Sequence, residues 1–191
     1  MPLHIKPSDQ RGLQGKLIFD PVGTNEYVKN ALVKLSWQNN TLIPAEYRFL
    51  GKAIDFAKAG TILEIQFSNY PFLLNNTLRS ELLFKAGTIF AQSATNVVII
   101  ITKAQMFPAS NSTLYYEQAV QQLTALMQNH VFDVPIRLVG LFEPQNTTTS
   151  VISTVYKEKR YSRIAESRIS CRCQINSGKF PTSRCQINLV Q

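Results

Sequence analysis

The 191-residue chain is short of several things that whole protein classes require. No apolar run approaches the roughly 20 residues that a helix needs to cross a bilayer. The first residues, MPLHIKPSDQRGLQGKL, hold no signal-peptide core. Both absences predict a cytoplasmic protein with no membrane contact. Cysteine is scarce: Cys171, Cys173 and Cys185 all lie near one end. An odd, clustered set excludes a disulfide framework and predicts reduced thiols. As CxC…C they would offer three zinc ligands, but His4 and His130, the two histidines, lie too far along the chain to suggest a fourth. Acidic residues are also few, 12 against 20 lysines and arginines, for a net charge of +8. Between residues 157 and 184, eight basic side chains face only Glu158 and Glu166. That balance suits a nucleic acid or another polyanion. A solvated basic tail without specificity is the other reading of the same charges.

What is present is a soluble globular composition, 45% hydrophobic and 17% charged, in a chain long enough for one domain with a sizeable core and a small appended subdomain. The segment GTILEIQFSNYPFLLNNTLR, residues 60 to 79, organises the rest. Its first part alternates as a strand does. Leu63, Ile65 and Phe67 form a face to be buried, while Ile62, Glu64, Gln66 and Ser68 point the other way. Asn69-Tyr70-Pro71 then turns the chain, and Pro71 suits the first turn of a helix over Phe72 to Lys85.

Elsewhere LIFDP (17–21) reads as a strand, and Thr24 as the cap of a helix from Asn25 to Trp37, closed by Asn39-Asn40-Thr41. Ala53 to Phe56 reads as a short strand, joined to the next by a tight turn at Lys58-Ala59-Gly60. VVIIIT (97–102) is a continuous β-branched run, the pattern of a strand covered on both faces. A polar loop, PASNST (108–113), leads to a helix from about Leu114 to Gln128, and IRLVGLF (136–142) is a further strand. Strands alternating with helices predict an α/β core, with Val151–Tyr156 as a strand outside it. RCQIN occurs twice, at 172–176 and 184–188, without the hydrophobic periodicity of a packed element. Four Asn-x-Ser/Thr sequons, at Asn39, Asn75, Asn111 and Asn146, carry no glycosylation meaning without a secretory signal.

The chemistry centres on carboxylates. Asp55 ends one short strand and Glu64 lies in the next, so antiparallel pairing would bring both within reach of one ion. Two carboxylates with a main-chain carbonyl, water and a phosphate oxygen suit Mg²⁺, a hard ion that retains several waters. Gln66, on the same face as Glu64, has an amide that could orient a water for in-line attack on phosphorus but could not lower that water's pKa. From these residues alone, a solvated strand edge with surface acids remains an open alternative. Ser68 and Asn69 could equally end the strand, and Asn111 and Ser112 could equally cap the following helix.

Asp55…Glu64-Ile65-Gln66, followed by FSNYPFLLNN (67–76), resembles the BglII/BstYI-like type II restriction endonucleases. They are a family of the PD-(D/E)XK nuclease superfamily in which glutamine replaces the usual lysine. The likeness extends over residues 1–165: DPVGTNEY, IIITKAQMFPASNSTLYYEQA, VFDVPIRLVGL and KRYSR follow in the family's order. Ile54 stands where a PD dipeptide would have proline.

The resemblance implies an α/β fold with a mixed central sheet flanked by helices and a small β-subdomain. Residues 1–165 would be the endonuclease domain and 166–191 a basic, cysteine-containing tail of uncertain structure. Asp55 and Glu64 would ligate Mg²⁺ together with the Ile65 carbonyl. Gln66 would position the attacking water, supported by Asn40. Ser68, Asn69, Asn111 and Ser112 match the residues that read bases in the major groove, where asparagine can pair bidentately with adenine. Lys159, Tyr161 and Arg163 match a segment that contacts the outer base pair and backbone, and Arg79 a helix arginine near DNA or the dimer interface. The implied protein is a homodimer on double-stranded DNA, cutting a palindrome with a GATC centre, AGATCT after the first A, inside a bacterium whose cognate methyltransferase protects the same site. A non-catalytic or less specific DNA-binding relative of the same fold is the alternative. Relatives carry an additional N-terminal segment, so either a dimer-supporting helix is missing here or the start is misassigned. Beyond about Glu166 the tail departs from the family.

Overall fold

A computed structural model describes residues 1–67, 69–105, 107–110, 113–144, 146–157, 163–176 and 178–190. In chain order the elements are β1 (Leu3–Pro7), β2 (Leu17–Phe19), α1 (Pro21–Lys34), β3 (Gln38–Leu42), a 3₁₀ turn (Ala45–Leu50), β4 (Ala53–Lys58), β5 (Thr61–Ile65), α2 (Phe72–Lys85), β6 (Ile89–Phe90), β7 (Ser93–Ala94), β8 (Val97–Lys103), α3 (Tyr116–Gln128), β9 (Ile136–Leu141), β10 (Thr147–Tyr156), β11 (Ala165–Asn176) and β12 (Gln186–Val190). They fall into two compact units. One comprises Met1–Val28, Ala104–Thr113 and Phe142–Gln191, the other Lys29–Lys103 and Leu114–Leu141.

The second unit holds the expected α/β core, a mixed sheet in the order β3-β4-β5-β8-β9. β3, β4 and β5 pair antiparallel, and β5-β8-β9 run parallel. The hairpin between β4 and β5 turns on Ala59 (φ 45°) and Gly60 (φ 77°). Both positive angles match the twist of a two-residue hairpin turn. A Cβ on Gly60 would lie 2.1 Å from the Ala94 carbonyl oxygen, so only glycine fits there. Ile62, Val98 and Ile100 of the sheet and Leu73, Leu83, Ala119 and Leu123 of α2 and α3 share one core, with Ile136 and Leu138 packed against it. Residues paired in register lie on one face, so this is the helix-covered face of the sheet.

The other unit is built on a second five-stranded sheet, β12-β11-β10-β1-β2. The tail, expected without a packed element, supplies two of its strands. β11 pairs with β10 over ten registered positions, and β12 closes the edge. Cys173, Ile175 and Cys185 are buried. The second repeat also braces the loop between β8 and α3: Arg184 donates to the Ala109 carbonyl at 3.0 Å, and the Cys185 thiol to that of Gln105 at 3.0 Å.

Two local expectations shift. α1 starts at Pro21 rather than near Asn25, because Asp20 accepts from the Val22 amide (3.1 Å) and Pro21 takes the first helical position. Asn39–Thr41, expected to end that helix, lies within β3. Asn39 and Asn40 have poor intrinsic strand preference, and it is the ladder to β4 that makes this stretch a strand.

Candidate active site

β5 is the third of five strands, and its polar side is not open to water. Glu64 is 3% exposed and Gln66 5%, alongside Ile62 at 0%. The expected half-buried strand is therefore covered on both faces, since Leu63 and Phe67 are buried too. The reason lies on α2. Its Leu73 and Leu83 pack on the same face that carries Glu64, and its Arg79 reaches the Glu64 carboxylate.

Asp55 sits one step beyond the Phe56–Leu63 pair of β4 and β5. Its Oδ2 accepts the Ile65 amide at 2.8 Å, which holds its carboxylate against the strand bearing Glu64. Its own carbonyl accepts from the Asn39 side chain at 3.2 Å. Asn40 falls between the Asn39–Phe56 and Thr41–Ile54 pairs, and so lies across from Asp55. It is exposed, with φ at 50°.

From Glu64 a chain of hydrogen bonds runs back to the end of the strand. Arg79 Nη2 pairs with Glu64 Oε1 and donates to Asn76 Oδ1 at 3.2 Å. Asn76 Nδ2 donates to Gln66 Oε1 at 3.1 Å. Gln66 Nε2 donates to the Asn69 carbonyl at 3.3 Å. Arg79 Nη1 also approaches the Leu50 carbonyl at 3.4 Å, and a Cβ on Gly51 (φ 130°) would come within 2.7 Å of it.

Burial pushes the Glu64 carboxyl up to about 7. The Arg79 guanidinium opposes the rise, the Asp55 charge adds to it, and hydrogen bonds from Arg79 and the Asp55 backbone oppose it again. The buried carboxylate is thus short of positive charge. Two carboxylates close enough that the charge of Asp55 raises the Glu64 pKa, with the carbonyl of Ile65 next along the strand from Glu64, form an oxygen-only donor set of the kind a hard divalent cation takes. Among the described residues, no cluster of three or more His, Cys, Asp or Glu side chains forms a larger metal centre.

Asp55, Glu64, Ile65, Gln66 and Arg79 are thus gathered at one place, with Asn40 on the adjoining strand. Asn69 is exposed, with φ at 44°, and enters through its carbonyl. Arg163 is exposed just before β11, in the other unit. Ser68, Asn111, Ser112, Lys159 and Tyr161 lie outside the described residues. Asn76 escaped the reading of the sequence. The available signal was its i, i+3 spacing from Arg79, which puts both on one side of α2.

The family profile described as restriction endonuclease BglII/BglIII matches residues 2–141. The type II restriction enzyme BglII of Bacillus subtilis is 54% identical over 184 residues, covering 96% of this chain and 82% of that protein. Among solved structures, a crystal structure of BglII complexed with a DNA 16-mer superposes with a TM-score of 0.94 at 52% identity, covering 100% of this chain and 87% of that one. Free BglII gives a TM-score of 0.74 at 48% identity, covering 100% and 85%.

Proposed function

The chain belongs to the BglII family of restriction endonucleases and is a site-specific endonuclease of type II, and on that premise we propose that it cuts both strands of double-stranded DNA at AGATCT, after the first A, as a Mg²⁺-dependent homodimer. BglII itself has been crystallised with a DNA 16-mer. A two-fold dimer reads a palindrome, one half-site per subunit. The observation that carries the reading is the oxygen-donor set: half-buried Asp55 held on the Ile65 amide at 2.8 Å, beside a buried Glu64 whose carboxyl is pushed up to about 7.

Asp55, Glu64 and the Ile65 carbonyl would hold the ion, which when bound supplies positive charge to the attacked phosphate and activates water. Gln66 orients the attacking water, and Asn40, across from Asp55, supports that arrangement. Ser68, Asn69, Asn111 and Ser112 read bases, each good contact worth about 1–3 kcal/mol of discrimination. Lys159, Tyr161 and Arg163 serve the outer base pair and backbone. Arg79, whose motif match is to an arginine near DNA or the dimer interface, is assigned here as the counter-charge of Glu64. Cutting and base reading fall to residues 1–165, with 166–191 in a supporting part as strands of the second sheet. The protein would act in the bacterial cytoplasm, beside a methyltransferase that protects the same site without binding the nuclease.

Digestion of a sequenced plasmid, with the fragment ends sequenced, tests this. Discrete fragments with GATC overhangs in Mg²⁺, and none in EDTA, are expected. Smearing would overturn the specificity. Specific binding without cleavage at any divalent metal concentration would make the protein a non-catalytic relative.

A further inference from the structure

The bonds from Arg79 to Asn69 have one sense only. A guanidinium has donors and no acceptor, so the end of Asn76 that faces it at 3.2 Å must be its oxygen. The Asn76 amide group therefore points at Gln66 and donates to its oxygen at 3.1 Å. Gln66 then has its own amide nitrogen directed at Asn69, whose carbonyl can only accept, at 3.3 Å. A donor-only cation at one end and an acceptor-only carbonyl at the other orient both carboxamides. Amide groups linked in series also polarise one another, so the charge on Arg79 strengthens the bonds beyond it.

We propose that Asn76 is the positioning residue for Gln66: it locks that carboxamide in one orientation and ties it to the arginine that pairs with Glu64. This rests on the nuclease reading, in which Gln66 orients the attacking water. The side chain best placed to hold Gln66 is on α2, not on the strand that carries it. Asn76 is half-buried on the first turns of that helix, and Arg79 follows one turn later. A residue working in this way needs no contact with DNA or metal, and its loss tilts Gln66 rather than removing it.

Asn76→Asp is the informative variant. Aspartate still accepts from Arg79 but cannot donate to Gln66, so only the second half of the chain breaks. Single-turnover cleavage with saturating enzyme should fall about 10- to 100-fold, as misplaced catalytic groups do. DNA affinity in EDTA and the unfolding midpoint should stay near wild type. In a Gln66→Ala background, Asn76→Asp should cost nothing further, because Asn76 acts through the missing side chain. Independently of activity, the Gln66 side-chain amide resonances should shift and exchange faster with solvent in Asn76→Asp. Wild-type cleavage by Asn76→Asp, an undiminished loss in the Gln66→Ala background, or unmoved Gln66 resonances would overturn the proposal. If the wild type gives no discrete fragments, the nuclease reading fails, and the resonances still decide whether Asn76 orients Gln66.

Discussion

Replacing Arg79 with methionine should be costly in a way that depends on pH. Arg79 is 7% exposed and pairs with Glu64, itself 3% exposed. Methionine fills much the same space, so the loss is electrostatic: Glu64 is left buried without its cation, and Asn76 Oδ1 without its donor. Removing one partner of a buried ion pair costs about 3–5 kcal/mol. For a chain of this size that is a fall of about 6–20 °C in unfolding temperature, at about 2–4 °C per kcal/mol. The charge on Glu64 sets the pH dependence. Its folded pKa is already raised, to about 7, so between its ordinary value and 7 the folded form binds the extra proton and stability falls as pH rises. Without Arg79 that pKa rises further and the slope extends to higher pH. The gap between variant and wild type should therefore be widest near pH 9 and shrink below pH 6, where Glu64 is neutral. Urea unfolding in EDTA, followed through Trp37, measures this, since that single tryptophan lies in the same unit as the pair. A gap under about 1 kcal/mol at pH 9, or one that does not narrow on acidification, would refute the reasoning. Glu64→Gln combined with Arg79→Met should recover part of the loss, because neither buried charge remains.

Three further outcomes are expected. Asp55→Asn keeps an acceptor for the Ile65 amide but loses its charge, so it should fold like wild type while plasmid cleavage falls at least about a thousandfold, the scale of a metal's charge stabilisation; EDTA should abolish cleavage by both. His4 is buried, and burial lowers its pKa below 6.5, with Asp20 and Glu26 opposing that shift and Arg168 adding to it. The unfolded chain then takes up the proton first, so the contribution of His4 to stability is lost as pH falls through 6.5, opposite in sign to that of Glu64, and between pH 7 and 5 the melting temperature of His4→Gln should rise relative to that of wild type. Gly60→Ala meets both a positive φ and the Ala94 carbonyl at 2.1 Å, whereas Gly12→Ala, at φ 82°, meets no atom within 4 Å. Each should lose about 1–3 kcal/mol to backbone strain, with a further loss for Gly60→Ala that urea titration should resolve.

Much of the fold was legible in the chain. α2 runs from Phe72 to Lys85, as Pro71 and the apolar spacing predict, and the β-branched run at 97–102 lies inside the sheet as β8. The spacing of Asp55, Glu64 and Gln66 around a Lys58–Thr61 hairpin brings the three together, because a tight turn fixes cross-strand partners locally. β3 and the tail strands were not legible. Their side chains carry little periodicity, and partner strands more distant in sequence supply their hydrogen bonds.

At the site itself, the residues 64–66 already specify which oxygens and which amide stand next to one another. Alternation cannot say what lies above a strand face. Glu64 reads as a solvent-facing acid until α2 packs Leu73 and Leu83 into the core on that face of the sheet and sets Arg79 on the carboxylate. That burial raises the carboxyl's pKa, and the same helix brings Asn76 to Gln66. The sequence by itself determined the reactive groups and their order along β4 and β5, since these depend on spacing alone. Only the tertiary structure decided their charge balance and orientation, because both come from a helix whose partners lie 10 and 15 residues back along the chain.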